Sequence, residues 1–233
     1  MEPVTGDTTD TDWDGIFEIL EAWRSDLRER SGSSGDPSVT ELSAERKRDP
    51  WSVLVSTILS LRTKDAVTLA TSRALLARAP TPKALLDLTE EETAELAYPA
   101  GFFRTKARSL RAIASILQEK RNGEVPADLD SLLALPGVGL KTANLVLTEA
   151  FGKDAICVDI HVHRISNRAG WIATRVPDES EAALRARLPR KYWKKINALL
   201  VLFGQRICTP TSPRCSACPI ADRCRRVGVV RSR

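Results

Sequence analysis

Residues 135–143 read Leu135-Pro-Gly-Val-Gly-Leu-Lys-Thr-Ala143, and this stretch organises the rest of the chain. Two glycines in three residues, behind a proline, cannot continue a helix and mark a tight turn. Asp128 to Leu135 reads as a short helix before the turn. A second helix runs from it to about Phe151 and stops at Gly152. The turn leaves backbone N–H groups uncovered beside a helix N-terminus, where the dipole favours an anion. A plain corner that uses glycine only for geometry has the same local signature.

Outward from the hairpin, the pattern stays helical. Trp13, Ile16, Phe17, Leu20, Trp23 and Leu27 recur every three or four residues and form one apolar face. Ser31 to Gly35 breaks the chain. Asp49 and Pro50 supply an N-cap and a first-turn proline for a helix with Trp51, Leu54, Val55 and Ile58 on its inner face. Thr89 and Glu92 have capping-box spacing. The segment Lys106–Arg121 stops at Asn122-Gly123. Asp159–Arg168 reads as a helix ending at Gly170, and Tyr192–Phe203 as one ending at Gly204. Only Ala155–Val158 and Val227–Val230 look β-like. The expected class is all-α, with about ten helices.

The bulk numbers narrow the function classes. At 233 residues the chain can bury a core without staples. No run approaches the roughly 18 apolar residues of a membrane span, and the N-terminus lacks the pattern of a signal peptide. A cytoplasmic, nucleoid-associated location follows as an expectation. Net charge is +5, but residues 1–12 hold four acids and no base, so the remainder carries +9. That acidic tail should be disordered. From Gly204 onward there are seven arginines against one acid, Asp222. A basic body suits phosphate binding without proving it.

Five cysteines in a chain without an export signal argue against a disulfide framework. Cys208, Cys215, Cys218 and Cys224 are spaced C-x6-C-x2-C-x5-C. Four thiolates at this spacing hold either zinc or a [4Fe–4S] cluster. Cys157 stands apart and reads as a small buried hydrophobe.

Two further residues carry chemistry. Lys141 falls in the first turn after the hairpin, where the helix dipole opposes an ammonium and favours the neutral amine of a nucleophile. A solvated lysine near phosphate would look the same. Asp159, in Cys157-Val-Asp-Ile-His-Val-His-Arg164, has the position of an N-cap. A capping carboxylate is rigidly placed, so it is also suited to face a reaction centre.

Taken together, the LPGVG string running into Lys141-Thr-Ala143, the eighteen residues from Lys141 to Asp159, and the four-cysteine signature resemble the endonuclease III family of helix-hairpin-helix DNA glycosylases. The resemblance covers residues about 45–226. It implies that Lys141 is the nucleophile, Asp159 the partner carboxylate, and the cysteines ligands of a [4Fe–4S] cluster. It also implies two helical domains flanking a DNA-binding cleft. One is a six-helix domain over 44–153, with the hairpin at about 129–148. The other is a cluster domain from 13–43 plus 154–233. Gly137, Val138, Gly139 and Thr142 would meet DNA at the hairpin, and His161 nearby.

A glycosylase must draw its target nucleotide out of the stack. Ile58–Asp65 resembles the family segment that enters the helix, with Arg62 where a glutamine is usual. Arginine cannot accept a hydrogen bond, which leaves the opposing-base preference open. Ala100–Ala107 resembles the wedge loop, with Phe102 in place of an aliphatic residue. Of Phe102 and Phe103, one should pack in the core. Leu133 replaces a carboxylate found in some relatives. The implied activity is a monomeric, bifunctional DNA glycosylase and abasic-site lyase acting on duplex DNA with oxidised pyrimidines or abasic sites. A monofunctional mismatch glycosylase and a non-catalytic helix-hairpin-helix DNA-binding protein remain the alternatives.

Overall fold

The structure, a computed structural model, describes residues 11–32 and 35–233. Most of the acidic tail lies outside the described residues. Among the described residues twelve α-helices form: α1 (Trp13–Ser31), α2 (Ser38–Glu45), α3 (Pro50–Ser60), α4 (Asp65–Arg78), α5 (Pro82–Leu86), α6 (Glu90–Ala97), α7 (Phe103–Arg121), α8 (Leu129–Leu133), α9 (Leu140–Glu149), α10 (Ile160–Ala169), α11 (Pro177–Arg187) and α12 (Ile196–Arg206). Three short 3-10 turns follow α11, and no strand occurs among the described residues. The chain divides into two compact units. One is Asp36–Cys157; the other joins Met1–Gly35 to Val158–Arg233.

In the first unit α3 is central. Every residue from Trp51 to Leu59 is buried, so the helix is enclosed on all sides by α2, α4, α7 and α9. Its start is set locally. The Asp49 carboxylate accepts the Ser52 N–H at 2.8 Å, and Pro50 occupies the first turn. Leu75, Leu110, Ile113, Leu117 and Val146 complete the core around it. The Thr89–Glu92 capping box forms in both directions at α6. α7 stops where Asn122 adopts a left-handed conformation.

In the second unit α1 lays Trp13, Ile16, Phe17 and Leu20 inward. Phe17 stacks on Tyr192 with centroids 3.8 Å apart, and Trp23 meets Phe203 edge-on. α12 is buried from Ile196 through Gly204.

Several expectations change. α4 and α11 carry no apolar stripe that announces them. The inward residues of α4 include Thr68, Thr71 and Ser72, and those of α11 include Ser180 and Glu181. Gly204 does not end its helix, which continues to Arg206. A Cβ there would sit 2.4 Å from His161 Nδ1 and 2.8 Å from an Arg164 nitrogen, so close packing on α10 explains this glycine. Ala155–Val158 is a buried coil rather than a strand. The carbonyl of Ile156 is satisfied by the Asn144 side chain at 2.9 Å.

Candidate active site and iron–sulfur centre

The hairpin joins α8 to α9 in the first unit. Its turn closes with the Val138 N–H on the Leu135 carbonyl at 3.2 Å. Gly137 has φ +77°, which L-residues adopt at a cost. Gly139 does not: its φ is −96° with ψ 179°, and a Cβ there would meet nothing within 4 Å. Both glycines are exposed. Gly139 is the N-cap of α9 and supplies no side-chain cap, leaving the first-turn amides without one. The side chains of Val138 and Thr142 are buried, at 6% and 2% exposure. Any contact these two make with phosphate therefore runs through the backbone.

Lys141 is half-buried in that first turn. The Cys157 thiol lies 3.6 Å from its backbone carbonyl, fastening the 155–157 segment alongside α9. Cys157 is itself buried, as expected of a small apolar residue.

In the second unit Asp159 caps α10. One carboxylate oxygen, Oδ1, accepts the N–H groups of both His161 and Val162 at 2.8 Å. Both bonds fall on the same atom, which fixes the side chain at the start of α10. Ile160 beside it is 67% exposed. His161 Nδ1 lies 3.1 Å from an Arg164 guanidinium nitrogen, which only donates, so Nδ1 accepts and the ring proton sits on Nε2. His163 instead pairs with Ser180 at 2.6 Å and belongs to the packing of α10 on α11.

Arg62 and Phe102 occupy two adjoining turns of the first unit. Both are non-glycine residues at positive φ, +52° and +58°, and both are exposed. The Arg62 guanidinium carbon lies 5.6 Å from the Phe102 ring centroid. Phe103 packs against the core. Leu133, at the end of α8, is 40% exposed.

Cys208, Cys215, Cys218 and Cys224 ring one cavity, whose floor includes Ile165, Phe203 and Ile220. Burial pushes the Cys218 thiol up to about 11 and the Cys224 thiol upward as well. Thiolates there call for strong cationic partners, which iron supplies. Four thiols around one cavity would ligate an iron–sulfur cluster through their sulfurs. Arg168 steadies the rim. Its guanidinium donates to the Thr209 carbonyl at 2.6 Å and reaches Cys208 Sγ at 3.6 Å. Arg164 donates to the Cys208 carbonyl at 2.9 Å. Sequence reasoning missed both, because arginines on a helix face carry no local mark of a partner forty residues away.

An exposed two-glycine hairpin and a four-thiol cavity in one all-helical chain define a helix-hairpin-helix DNA glycosylase of the iron–sulfur type. Comparison with known proteins agrees. Residues 55–190 match the family profile of HhH-GPD superfamily base excision DNA repair proteins, and residues 208–224 match the iron–sulfur binding domain of endonuclease III. Endonuclease III of Thermotoga maritima is 46% identical over 179 residues, covering 77% of this chain and 84% of the relative. The endonuclease III-like protein 1 of Bos taurus is 43% identical, covering 84% and 68%. A trapped endonuclease III–DNA covalent intermediate superposes with TM-score 0.76 at 31% identity, covering 91% of this chain and 95% of that one. The chain belongs to the endonuclease III family. Its cofactor is a [4Fe–4S] cluster.

Purified protein should accordingly be yellow-brown and hold about four irons per chain. Replacing Cys208 or Cys215 with serine should bleach it and weaken DNA binding severalfold. The loop bearing the exposed Arg214, Arg223, Arg225 and Arg226 would lose its tether. Iron analysis and filter binding read both effects; stoichiometric zinc without iron would contradict the assignment.

Proposed function

We infer that this protein is a bifunctional DNA glycosylase and abasic-site lyase of base excision repair, acting as a monomer on duplex DNA that carries oxidised pyrimidines. The observation that carries this reading is Lys141, half-buried in the uncapped first turn of α9 directly behind an exposed hairpin. A monofunctional glycosylase or a simple DNA-binding protein has no need of an amine there.

In the proposed mechanism the hairpin amides grip a phosphate of the damaged strand. The lesion nucleotide leaves the stack, with Arg62 and Phe102 filling the gap and His161 donating from Nε2 to the backbone. Lys141 Nζ attacks C1′ as the N-glycosidic bond breaks and the base departs. Asp159 stabilises positive charge on the sugar and relays protons. Ring opening gives an imine between Lys141 and C1′. Loss of a C2′ proton then expels the 3′ phosphate by β-elimination, cutting the strand. The cluster takes no part in these steps; it links four thiolates and so shapes the arginine-bearing loop.

Borohydride trapping on an oligonucleotide with a single abasic site tests the reading. A covalent protein–DNA adduct is expected, and its absence under conditions of tight binding would remove the lyase assignment. Gly139→Ala tests the hairpin. A Cβ fits there without strain, so the melting temperature should hold within a few degrees. Binding to damaged and undamaged duplex should weaken alike, by about tenfold, since a methyl group blocks close approach to phosphate, which carries no lesion information. A loss confined to damaged DNA would contradict that role.

A further inference from the structure

Lys106 is 6% exposed, yet among the described residues no carboxylate pairs with it. Its ammonium donates to the Leu59 carbonyl at 2.8 Å, the Leu61 carbonyl at 2.6 Å and Thr63 Oγ1 at 2.8 Å. All three donors of the group are thus spent on the end of α3 and the turn that carries Arg62. Burial lowers the ammonium to about 8, the sign of a costly placement. A neutral side chain could cap the end of α3 without that cost.

What the charge accomplishes lies one step further out. Thr63 Oγ1, held by Lys106, accepts the Gly101 N–H at 3.1 Å from the neighbouring turn. That approach is tight: a Cβ on Gly101 would fall 2.5 Å from the Arg62 carbonyl oxygen. The backbone N–H of Lys106 meanwhile bonds the Phe102 carbonyl at 3.0 Å. One residue therefore fastens the Arg62 turn with its side chain and the Phe102 turn with its main chain. Both turns hold a non-glycine residue at positive φ, a conformation that persists only where surroundings impose it.

We propose that Lys106 is the positioning residue of nucleotide extrusion: it locks the Arg62 and Phe102 turns together, so that the two side chains enter DNA as one preassembled wedge. This rests on the reading of Arg62 and Phe102 as the residues that fill the vacated stack. Preassembly places the ordering cost in folding rather than in the encounter with DNA. The residue touches no substrate, and its effect is on extrusion alone.

The test compares two substrates under single-turnover conditions, using the full chain with its cluster. One duplex carries thymine glycol, which must be drawn from the stack; the other carries an abasic site, which has no base to unstack. 2-Aminopurine opposite the lesion reports unstacking by fluorescence. Lys106→Met, close in length and apolar, should slow thymine glycol excision and the fluorescence rise by about tenfold or more, with abasic-site cleavage down less than about threefold. Thr63→Val removes only the shared hydroxyl, and should give the same pattern more weakly. It keeps the question open to measurement if Lys106→Met does not fold. Equal loss on both substrates, or unchanged fluorescence kinetics, would overturn the proposal. Arg62→Ala and Phe102→Ala separate it from the reading beneath. If those two leave excision intact, the wedge assignment fails. If they slow it but Thr63→Val and Lys106→Met do not, only the role of Lys106 fails.

Discussion

Lys141→Gln is expected to abolish borohydride-trapped adduct and strand cleavage, a loss on the order of a thousandfold or more. Glutamine has similar reach and no nucleophilic lone pair, so chemistry is removed with little change in volume. The fold should survive. Lys141 is only half-buried, its backbone carbonyl keeps the Cys157 contact, and the inward face of α9 is made by Thr142 through Thr148. Duplex binding should weaken only slightly. One positive charge is lost from a basic surface, which lowers the salt dependence by about one counterion. The decisive measurement is single-turnover cleavage of an abasic-site duplex beside a titration of the same duplex. Surviving imine trapping would remove the nucleophile assignment and the lyase mechanism built on it.

Asp159→Asn should slow excision by about a hundredfold or more while leaving the protein folded, which separates the charge from the cap. The native carboxylate uses Oδ1 to accept two N–H groups of α10. An asparagine Oδ1 can take the same two bonds, and asparagine ranks with aspartate as an N-cap. The melting temperature should therefore change by no more than a few degrees. Affinity for lesion DNA should stay level or rise, because a negative charge beside the sugar–phosphate backbone has gone. Asp159→Ala is the contrasting variant: it loses cap and charge together, at about 1 kcal/mol in stability. Near-normal cleavage by the asparagine variant would reduce Asp159 to a helix cap.

These two experiments rest on features written within a few residues of one another. Asp49, Thr89 and Asp159 all cap helices as their local sequence indicates, because an N-cap needs only a short polar side chain and the next two or three amides. The cysteine spacing is legible for the same reason: four ligands fall within seventeen residues. Misreadings arise where a residue answers to something distant. Gly204 resembles a helix stop, yet it is small because His161 and Arg164 press on it from α10. Gly139 resembles a turn glycine, yet its backbone suits any residue. α4 escapes notice because hydroxyl side chains fill its inner face, and a small polar residue in a core carries no periodic signal.

The sequence by itself thus determined the helical class, the hairpin, the family and the cysteine set, and it singled out Lys141 and Asp159 as candidates, all by residue type at short, fixed spacing. Only the tertiary structure decided what surrounds them. It turned Val138 and Thr142 inward. It left Phe102 exposed, near the Arg62 guanidinium, while Phe103 joined the core. It set Arg168 against a thiol forty residues away. It buried Lys106 beneath carbonyls more than forty positions earlier in the chain. Hydrogen bonds of that range depend on how helices pack, and packing responds to the summed shape of a core that no local pattern encodes.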